Sequence, residues 1–362
     1  MAGKFGFIVH PLEPADVRRK FGLARWLPDS WVEGLIRHLP VQRVSHVTGV
    51  RSPYNTAEGW FVGVPLTSRQ MMSLPEDYVL RKIVAAGRLA ERQGARIIGL
   101  GAFTAVVGDA GVTIARELSA GVTTGNSYTA WTALEGAQEA ARFMGHDLAT
   151  AEVAIVGATG SIGRACALLL GSEVKRLTLI GRNEERLERL AREVLTETGT
   201  AAQISTDLKK SLPRADVIIA VSSAVEAIID AEDLKSGAVV CDVARPRDVS
   251  RRVAEVRDDV LVIEGGVVEV PGDVDFGFDL GYPARTCHAC IAETMILALE
   301  ERYDDYTLGR DYSVERIREI AALARKHGFR LAGLRSFERA LSREEMERVR
   351  ANARRRLQPK SY

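Results

Sequence analysis

Apolar positions in the middle of the chain alternate between two periods, and this alternation predicts an α/β fold. Short apolar runs of strand character are separated by segments with helical spacing, such as the one after GSIG and the charged one from Glu184. The runs are VAIVG, LTLIG, DVIIAVS, AVVCDVA and VLVIEGG. Alternation of this kind is typical of a parallel sheet with helices on both faces. We therefore expect a Rossmann-type, doubly wound parallel sheet.

Helical spacing also predicts two helices before this region, over about 75–93 and 127–144, each followed by a glycine. The remainder of the first 120 residues mixes short apolar runs with turn signals, and the chain after GYP is helical again. These patterns predict an N-terminal α/β substrate domain (1–120), a dinucleotide-binding Rossmann domain (121–282) and a C-terminal helical segment (283–362). We expect the C-terminal helices to pack back on the N-terminal domain.

Composition narrows the class of protein. The chain has 362 residues, 46% of them hydrophobic, which is enough for a substantial core. No run approaches the roughly 18 apolar residues of a membrane span, and the first residues lack the layout of a signal peptide. We expect a soluble, cytoplasmic protein without a disulfide framework, although it has four cysteines. The net charge of +1 gives no general attraction to nucleic acid.

The segment VAIVGATGSIG has the pattern of a dinucleotide-binding loop, because it follows a predicted strand and opens a predicted helix. Its G-x-x-G-x-x-G spacing is a variant common in NADP-linked reductases, and its amides can face a pyrophosphate at the helix N-terminus. A tight turn without a ligand is the alternative. The predicted contacts in this loop are Gly157, Thr159, Gly160, Ser161, Ile162 and Gly163.

The residues at the end of the strand that follows the glycine loop favour NADPH over NADH as the cofactor. NAD enzymes usually carry an acidic residue there, but this chain has Arg182 and Asn183 in LTLIGRNEER. Arg182 could instead be a solvated surface residue, and Arg186 is a weaker second candidate. Ser222, which follows a later strand, is a further predicted cofactor contact because ligands bind at the carboxyl ends of such strands.

Cys290, in TCHACIAETMILALE, is the candidate nucleophile. A helix is expected to begin near Thr286, and free amides and the helix dipole would favour a thiolate in its first turns. Three alternatives remain: burial as a small apolar residue, a zinc site in C-H-x-C with Cys287 and His288, or a C-x-x-C redox pair. Glu293 should lie on the same helix face, where it could support the site from behind or form a salt bridge, and neither role is preferred. We predict no metal site.

Seven separated segments carry a resemblance to a known family: GLGAFTAVV, TTGNSYTAW, VAIVGATGSIG, EGGVVE, ACIAETMILALE, YTLGR and KHGF. With these segments in this order, the chain resembles the long-chain fatty acyl carrier-protein reductases of cyanobacteria, which make fatty aldehydes with NADPH. The resemblance implies that Cys290 takes up the acyl group. It also implies that Thr124, Gly125 and Asn126 of TTGN lie near the reacting carbonyl or the cofactor.

The activity implied by the resemblance is NADPH-dependent reduction of a fatty acyl thioester to an aldehyde through an acyl-cysteine. The expected partners are an acyl thioester, acyl carrier protein and an enzyme that consumes the aldehyde. The segment CDVARPRDV is instead more similar to glutamyl-tRNA reductases and shikimate dehydrogenases. The alternatives are therefore reduction of an aminoacyl substrate, a non-catalytic NADP-binding sensor, and oxidation of a small polyol or hydroxy acid.

Two charged segments have simpler interpretations. Asp273, Asp275 and Asp279 lie in a loop that could hold magnesium, but a solvated acidic loop is the default. The stretch from Ser342 begins with a capping-box pattern and ends in three arginines, 354–356, which stabilise a helix C-terminus by default. Docking of an acidic carrier protein on these arginines is the alternative.

Overall fold

The structure is a computed structural model that describes residues 2–20 and 26–358. It contains two compact units. The first comprises Met1–Tyr128, Glu269–Tyr312 and Glu319–Arg330, and the second comprises Thr129–Val268, Ser313–Arg318 and Leu331–Tyr362. This division differs from the three predicted segments, because the segment 283–362 is distributed over both units.

The described helices and strands have the following bounds. The helices are α1 (Pro14–Lys20), α2 (Asp29–Ile36), α3 (Ser68–Ser73), α4 (Glu76–Arg92), α5 (Val112–Glu117), α6 (Asn126–Met144), α7 (Ser161–Gly171), α8 (Glu184–Thr198), α9 (Leu208–Ser211), α10 (Arg251–Val256), α11 (Ala289–Leu299), α12 (Val314–His327) and α13 (Arg343–Leu357). The strands are β1 (Gly3–Val9), β2 (Gln42–Arg51), β3 (Thr56–Gly63), β4 (Ile97–Leu100), β5 (Gly121–Thr123), β6 (Glu152–Val156), β7 (Arg176–Ile180), β8 (Gln203–Ser205), β9 (Val217–Ala220), β10 (Val239–Asp242), β11 (Leu261–Glu264), β12 (Val267–Glu269), β13 (Gly272–Asp275), β14 (Thr286–His288), β15 (Arg330–Leu331), β16 (Arg335–Ser336) and β17 (Arg339–Ala340).

The first unit is built on a mixed sheet with the strand order β13-β2-β3-β1-β4-β5. Strands β3, β1, β4 and β5 are mutually parallel, whereas β2 pairs antiparallel with both β3 and β13. Strands β1 and β4 are almost wholly apolar and buried, as expected for parallel strands covered on both faces. The carboxyl ends of β1, β4 and β5 therefore lie along one edge of this sheet.

Helices α4 and α11 cover opposite faces of the sheet in the first unit. Successive residues of a strand face opposite sides. Gly6 of β1 faces Ala90 of α4, where an added methyl carbon would lie 2.7 Å from the Ala90 Cβ. On the other face, a methyl carbon on Gly3 would lie 2.0 Å from the carbonyl oxygen of Ala298 in α11. The prediction that helical residues after 283 pack on the N-terminal part is met by α11.

The second unit contains a fully parallel sheet with the strand order β8-β7-β6-β9-β10-β11. Numbered from its first strand, this is the 3-2-1-4-5-6 order of a dinucleotide-binding Rossmann sheet. The order reverses between β6 and β9, at the point where such sheets bind ligands. This topology confirms the predicted α/β class and the doubly wound parallel sheet.

The last helix, α13, differs from the prediction that the C-terminal helices pack on the N-terminal part. It belongs to the second unit, where Ala353 is buried and Asn352 Nδ2 donates to the carbonyl oxygen of Asp258 at 3.1 Å. Ser342 and Glu345 form the predicted capping box at its start. Arg356 pairs with Asp258 at 2.6 Å, so this arginine anchors the helix.

Candidate active site

Cys290 is the second residue of α11, and its helix begins three residues later than the sequence predicts. Residues Thr286–His288 form β14, and His288 is the N-cap of α11 without a capping hydrogen bond from its own side chain. The ring of His288 instead packs edge-on against Tyr282, with ring centroids 5.0 Å apart. A thiol in the first turn lies beside backbone amides that have no acceptor within their helix, and these amides favour negative charge.

Burial separates Cys290 from the other three cysteines. Cys166, Cys241 and Cys287 are buried, whereas Cys290 is partly exposed. Burial raises the pKa of the Cys166 thiol to about 12 and raises the pKa values of Cys241 and Cys287 as well. These three thiols are therefore protonated and shielded at neutral pH. Cys290 is the cysteine whose exposure suits a reaction, and the burial of Cys287 disfavours a C-x-x-C redox pair.

The TTGN loop lies directly against Cys290 within the first unit. A methyl carbon on Gly125 would lie 2.3 Å from both the Cα and the Cβ of Cys290, so no side chain fits between them. Gly125 also has a φ of +72°, which favours glycine. Helix α6 begins at the next residue, Asn126. Two helix N-termini, those of α6 and α11, therefore lie side by side at Cys290.

The direction of α11 explains why Cys290 lies at this edge. Along the helix, Ala298 faces Gly3 at the start of β1, and Thr294 faces Gly99 near the end of β4. The helix thus runs antiparallel to these strands, and its N-terminus reaches the edge formed by their carboxyl ends. The loop that follows β5 begins at this same edge. The sequence predicts the two motifs separately, and the sheet brings them together.

Glu293 is a buried carboxylate at the centre of the same region. Its Oε1 accepts hydrogen bonds from the hydroxyls of Thr123 and Thr307, at 2.5 and 2.9 Å. Its Oε2 accepts from the amide of Tyr128 at 2.8 Å. The side chain is fully buried. The signal in the sequence is the spacing, since Glu293 follows Cys290 by three residues on one helix face.

The glycine loop of the second unit has the shape of a dinucleotide cradle. A methyl carbon on Gly157 would lie 2.7 Å from the Cα of Ser222, and one on Gly163 would lie 2.4 Å from the carbonyl oxygen of Gly157. Gly160 is the N-cap of α7 and provides no side chain to cap its amides. This combination of a tight turn, close helix packing and an uncapped helix start fits a bound pyrophosphate.

Arg182 and Asn183, the two predicted cofactor residues after β7, have different surroundings in the structure. Arg182 lies just beyond the carboxyl end of β7, and Thr159 of the glycine loop lies near Gly181 at the same end. Asn183 is the N-cap of α8, where its Oδ1 accepts from the amide of Arg186 at 2.9 Å. Its side chain therefore stabilises a helix start. Arg182 is the better placed of the two for a 2′-phosphate.

Ser222 is held by a buried aspartate, Asp248, which has no recognisable signal in the sequence. Asp248 Oδ2 accepts from the amide of Ser222 at 2.8 Å, and Asp248 Oδ1 accepts from its hydroxyl at 2.5 Å. Burial, together with the smaller effect of nearby Asp242, raises the pKa of Asp248 to about 6, although the Ser222 hydrogen bonds act in the opposite direction. Asp248 fixes the loop that lies against Gly157.

The acidic loop shows local hydrogen bonds. Asp275 and Asp279 each accept a hydrogen bond from the amide of a glycine two residues later, at 2.8 Å. In the described part of the chain, no group of three or more His, Cys, Asp or Glu side chains is arranged to hold a metal ion.

None of the described helices has both the length and the hydropathy needed to cross a lipid bilayer.

Comparisons with known proteins relate both units to reductases. Residues 138–264, which include the glycine loop and the Rossmann sheet, match the family model for shikimate / quinate 5-dehydrogenase. Glutamyl-tRNA reductase from Natronomonas pharaonis is 28% identical over 201 residues, which are 55% of this chain and 41% of that protein. These matches confirm the prediction of an NADPH-binding Rossmann domain. They also agree with the observation that CDVARPRDV resembles those two families.

Two further relatives match almost the whole chain. The aminotransferase PigE from Serratia sp. is 30% identical over 361 residues, 95% of this chain, but the chain spans only 41% of the length of PigE. The long-chain acyl-[acyl-carrier-protein] reductase from Synechococcus elongatus is 30% identical over 343 residues, 90% of this chain and 98% of that protein. The fold and these matches support an NADP-dependent oxidoreductase. The chain belongs to the reductase family that includes this cyanobacterial protein.

Proposed function

We propose that the protein reduces a fatty acyl thioester to a fatty aldehyde with NADPH, through an acyl group held covalently on Cys290. The observation that carries the proposal is the position of Cys290, a partly exposed thiol in the first turn of α11 and in contact with Gly125. Membership of the acyl-[acyl-carrier-protein] reductase family supports the substrate class.

The chemistry assigned to Cys290 uses the properties of sulfur. The thiolate attacks the thioester carbonyl carbon, the bond to the carrier's sulfur breaks, and the carrier thiolate leaves and takes up a proton. NADPH, when bound, supplies the hydride that converts the acyl-cysteine to a hemithioacetal anion. This anion then breaks its bond to Cys290, which releases the aldehyde and restores the thiolate.

The negative charge that develops on the carbonyl oxygen requires hydrogen-bond donors. The hydroxyl and the amide of Thr124 both donate to the carbonyl oxygen of Thr307, at 3.0 and 2.9 Å. Both donors of Thr124 therefore form structural hydrogen bonds to Thr307. We assign the role of donor to the carbonyl oxygen of the substrate to Asn126 and to the first amides of α11. The convergence of two helix N-termini at Cys290 supports this assignment.

The test is aldehyde formation from short- to long-chain acyl thioesters of coenzyme A and acyl carrier protein, with NADPH. Wild type, Cys290→Ala and Cys287→Ala are compared, because Cys287 is a buried thiol three residues away. We expect aldehyde from wild type and Cys287→Ala, and none from Cys290→Ala. Undiminished aldehyde formation by Cys290→Ala would refute the proposal.

Reduction of an aminoacyl ester is the second candidate, because the chain is also related to glutamyl-tRNA reductase. The net charge of +1 gives little attraction for a long RNA. Aldehyde formed from an aminoacyl-tRNA, and none formed from any acyl thioester, would favour this candidate.

For the reduction of an acyl thioester, we also propose that the protein is cytoplasmic. Its proposed partners are acyl carrier protein and an enzyme that consumes the aldehyde.

A further inference from the structure

We propose that Glu293 is a positioning residue whose carboxylate holds the loop 123–128 against Cys290 in the geometry that thioester reduction requires. The inference rests on the proposed function. Because Glu293 is fully buried, its role in the reaction is exerted through the loop that it holds.

Glu293 binds both ends of the loop. Its Oε1 accepts from the hydroxyl of Thr123, where β5 ends, and its Oε2 accepts from the amide of Tyr128, in the first turn of α6. Between these two points lies Gly125, whose Cα faces Cys290. Since Cys290 and Glu293 lie one turn apart on α11, the helix that carries the thiol also fixes the loop opposite it.

The third contact extends the network to the segment YTLGR. The hydroxyl of Thr307 lies 2.9 Å from Glu293 Oε1 and 2.8 Å from the hydroxyl of Ser127. The amide of Thr307 donates to the hydroxyl oxygen of Thr123 at 3.2 Å. Three motifs that are far apart in the sequence therefore meet at one carboxylate: TTGN, ACIAE and YTLGR.

The hydrogen-bond network requires both side-chain oxygens of Glu293 to act as hydrogen-bond acceptors. The Tyr128 amide can only donate. The Thr123 hydroxyl oxygen accepts from the amides of Thr307 and Gly125, at 3.2 and 3.4 Å, so its hydrogen is directed to Glu293. A carboxylate is an acceptor at both oxygens, whereas the amide of glutamine presents one donor group. Glu293→Gln would set that donor against either the Tyr128 amide or the hydroxyls.

The decisive experiment compares Glu293→Gln with Glu300→Gln in the full-length protein. Glu300 is the C-cap of the same helix and pairs with Lys326 and His327, so its variant perturbs α11 without touching the loop. We expect Glu293→Gln to lower kcat for aldehyde formation about 100-fold with little change in KM, because the oxyanion donors are misplaced. NADPH binding should be unchanged. Glu300→Gln should lower Tm and leave kcat within about threefold of wild type.

Hydrogen exchange and a second pair of variants keep the inference testable. Amides 124–127 should exchange about tenfold faster in Glu293→Gln than in wild type. If Glu293→Gln does not fold, Thr307→Val is used instead, because it removes a hydroxyl at constant shape. It should lower kcat about tenfold, and Thr307→Ser should restore it, because the hydroxyl is restored.

The outcomes separate this inference from the proposed function. Normal kcat in Glu293→Gln, or loss of kcat in Thr307→Ser equal to that in Thr307→Val, would overturn the positioning role. If wild type reduces no thioester, the proposed function is wrong. The hydrogen exchange of amides 124–127 then remains as the test of whether Glu293 positions the loop. Faster exchange in Glu293→Gln would support the inference, and unchanged exchange would overturn it.

Discussion

Gly125 and Cys290 are in close contact: a methyl carbon on Gly125 would lie 2.3 Å from the Cα and 2.9 Å from the carbonyl oxygen of Cys290. This contact joins the loop after β5 to the first turn of α11. It places the N-terminus of a second helix, α6, beside Cys290. The account of the chemistry depends on this contact, and it can be tested by substitution.

Gly125→Ala should abolish most of the activity. The new methyl group collides with backbone atoms of Cys290, and alanine is strained at a φ of +72°. We expect a loss in kcat of at least about 100-fold, measured as aldehyde formation. Gly145→Ala is the control, because Gly145 has a φ of +92° but no atoms near the added methyl. That variant should lose stability and keep its kcat; equal kcat losses in the two would contradict the account.

Substitutions at two glycines of the glycine loop, Gly163 and Gly160, should affect stability and NADPH binding differently. Gly163→Ala places a methyl carbon 2.4 Å from the carbonyl oxygen of Gly157 and should lower Tm, because backbone atoms must move. Gly160→Ala meets only that same oxygen, at 3.3 Å, but adds a methyl at the start of α7 where a pyrophosphate would bind. It should weaken NADPH binding about tenfold or more with little change in Tm. The checks are thermal unfolding and NADPH fluorescence titration.

Arg182→Ala should reduce the preference for NADPH over NADH. A guanidinium at the end of β7 can bind the 2′-phosphate, which NADH lacks. We expect KM for NADPH to rise about tenfold while KM for NADH changes little. Arg189→Ala, which changes an exposed arginine further along α8, serves as the matched control and should leave the ratio near the wild-type value. A ratio that is unchanged in Arg182→Ala would mean that Arg182 does not contact the cofactor.

Asp248 should make the stability of the protein depend on pH in a defined direction. Its pKa is raised from 3.8 to about 6, chiefly by burial, so the folded state favours the protonated carboxyl. This contribution is complete below about pH 4 and is lost as the pH rises through about 6, a change of up to about 3 kcal/mol.

Asp248→Asn cannot ionise and can still hydrogen-bond to Ser222. Relative to wild type, the free energy of unfolding of this variant should therefore increase as the pH rises from about 4 to about 7. Denaturant titrations at several pH values measure the difference. A difference that is constant over this range would show that Asp248 is not protonated preferentially in the folded state.

The Rossmann sheet could be predicted from the sequence because its information is local. Each of its apolar runs forms the expected strand, and only the short β8 is absent from the prediction. Helices over 76–92 and 126–144 also agree with the predicted 75–93 and 127–144. Here the period of the hydrophobic residues and the following glycines suffice to fix the elements.

The arrangement around Cys290 could be predicted only in part, because it depends on contacts between distant segments. The sequence indicates Cys290 and TTGN separately, but their contact follows from the antiparallel course of α11 along β1 and β4. The hydrogen bonds of Glu293, whose helix face is predicted, and the burial of Asp248 could not be predicted for a related reason. A lone acidic residue in a sequence is usually solvated, and only the fold reveals that donors surround it.

Covalent acylation of Cys290 can be detected by trapping the acyl group on the protein. Wild type and Cys290→Ala are incubated with a long-chain acyl thioester without NADPH, and intact-mass and peptide mass spectrometry follow. We expect wild type to gain the mass of one acyl group on the peptide that contains Cys290, NADPH then to remove this group as aldehyde, and Cys290→Ala to gain none. Aldehyde formation by wild type without any acyl group on Cys290 at any time would rule out the acyl-cysteine.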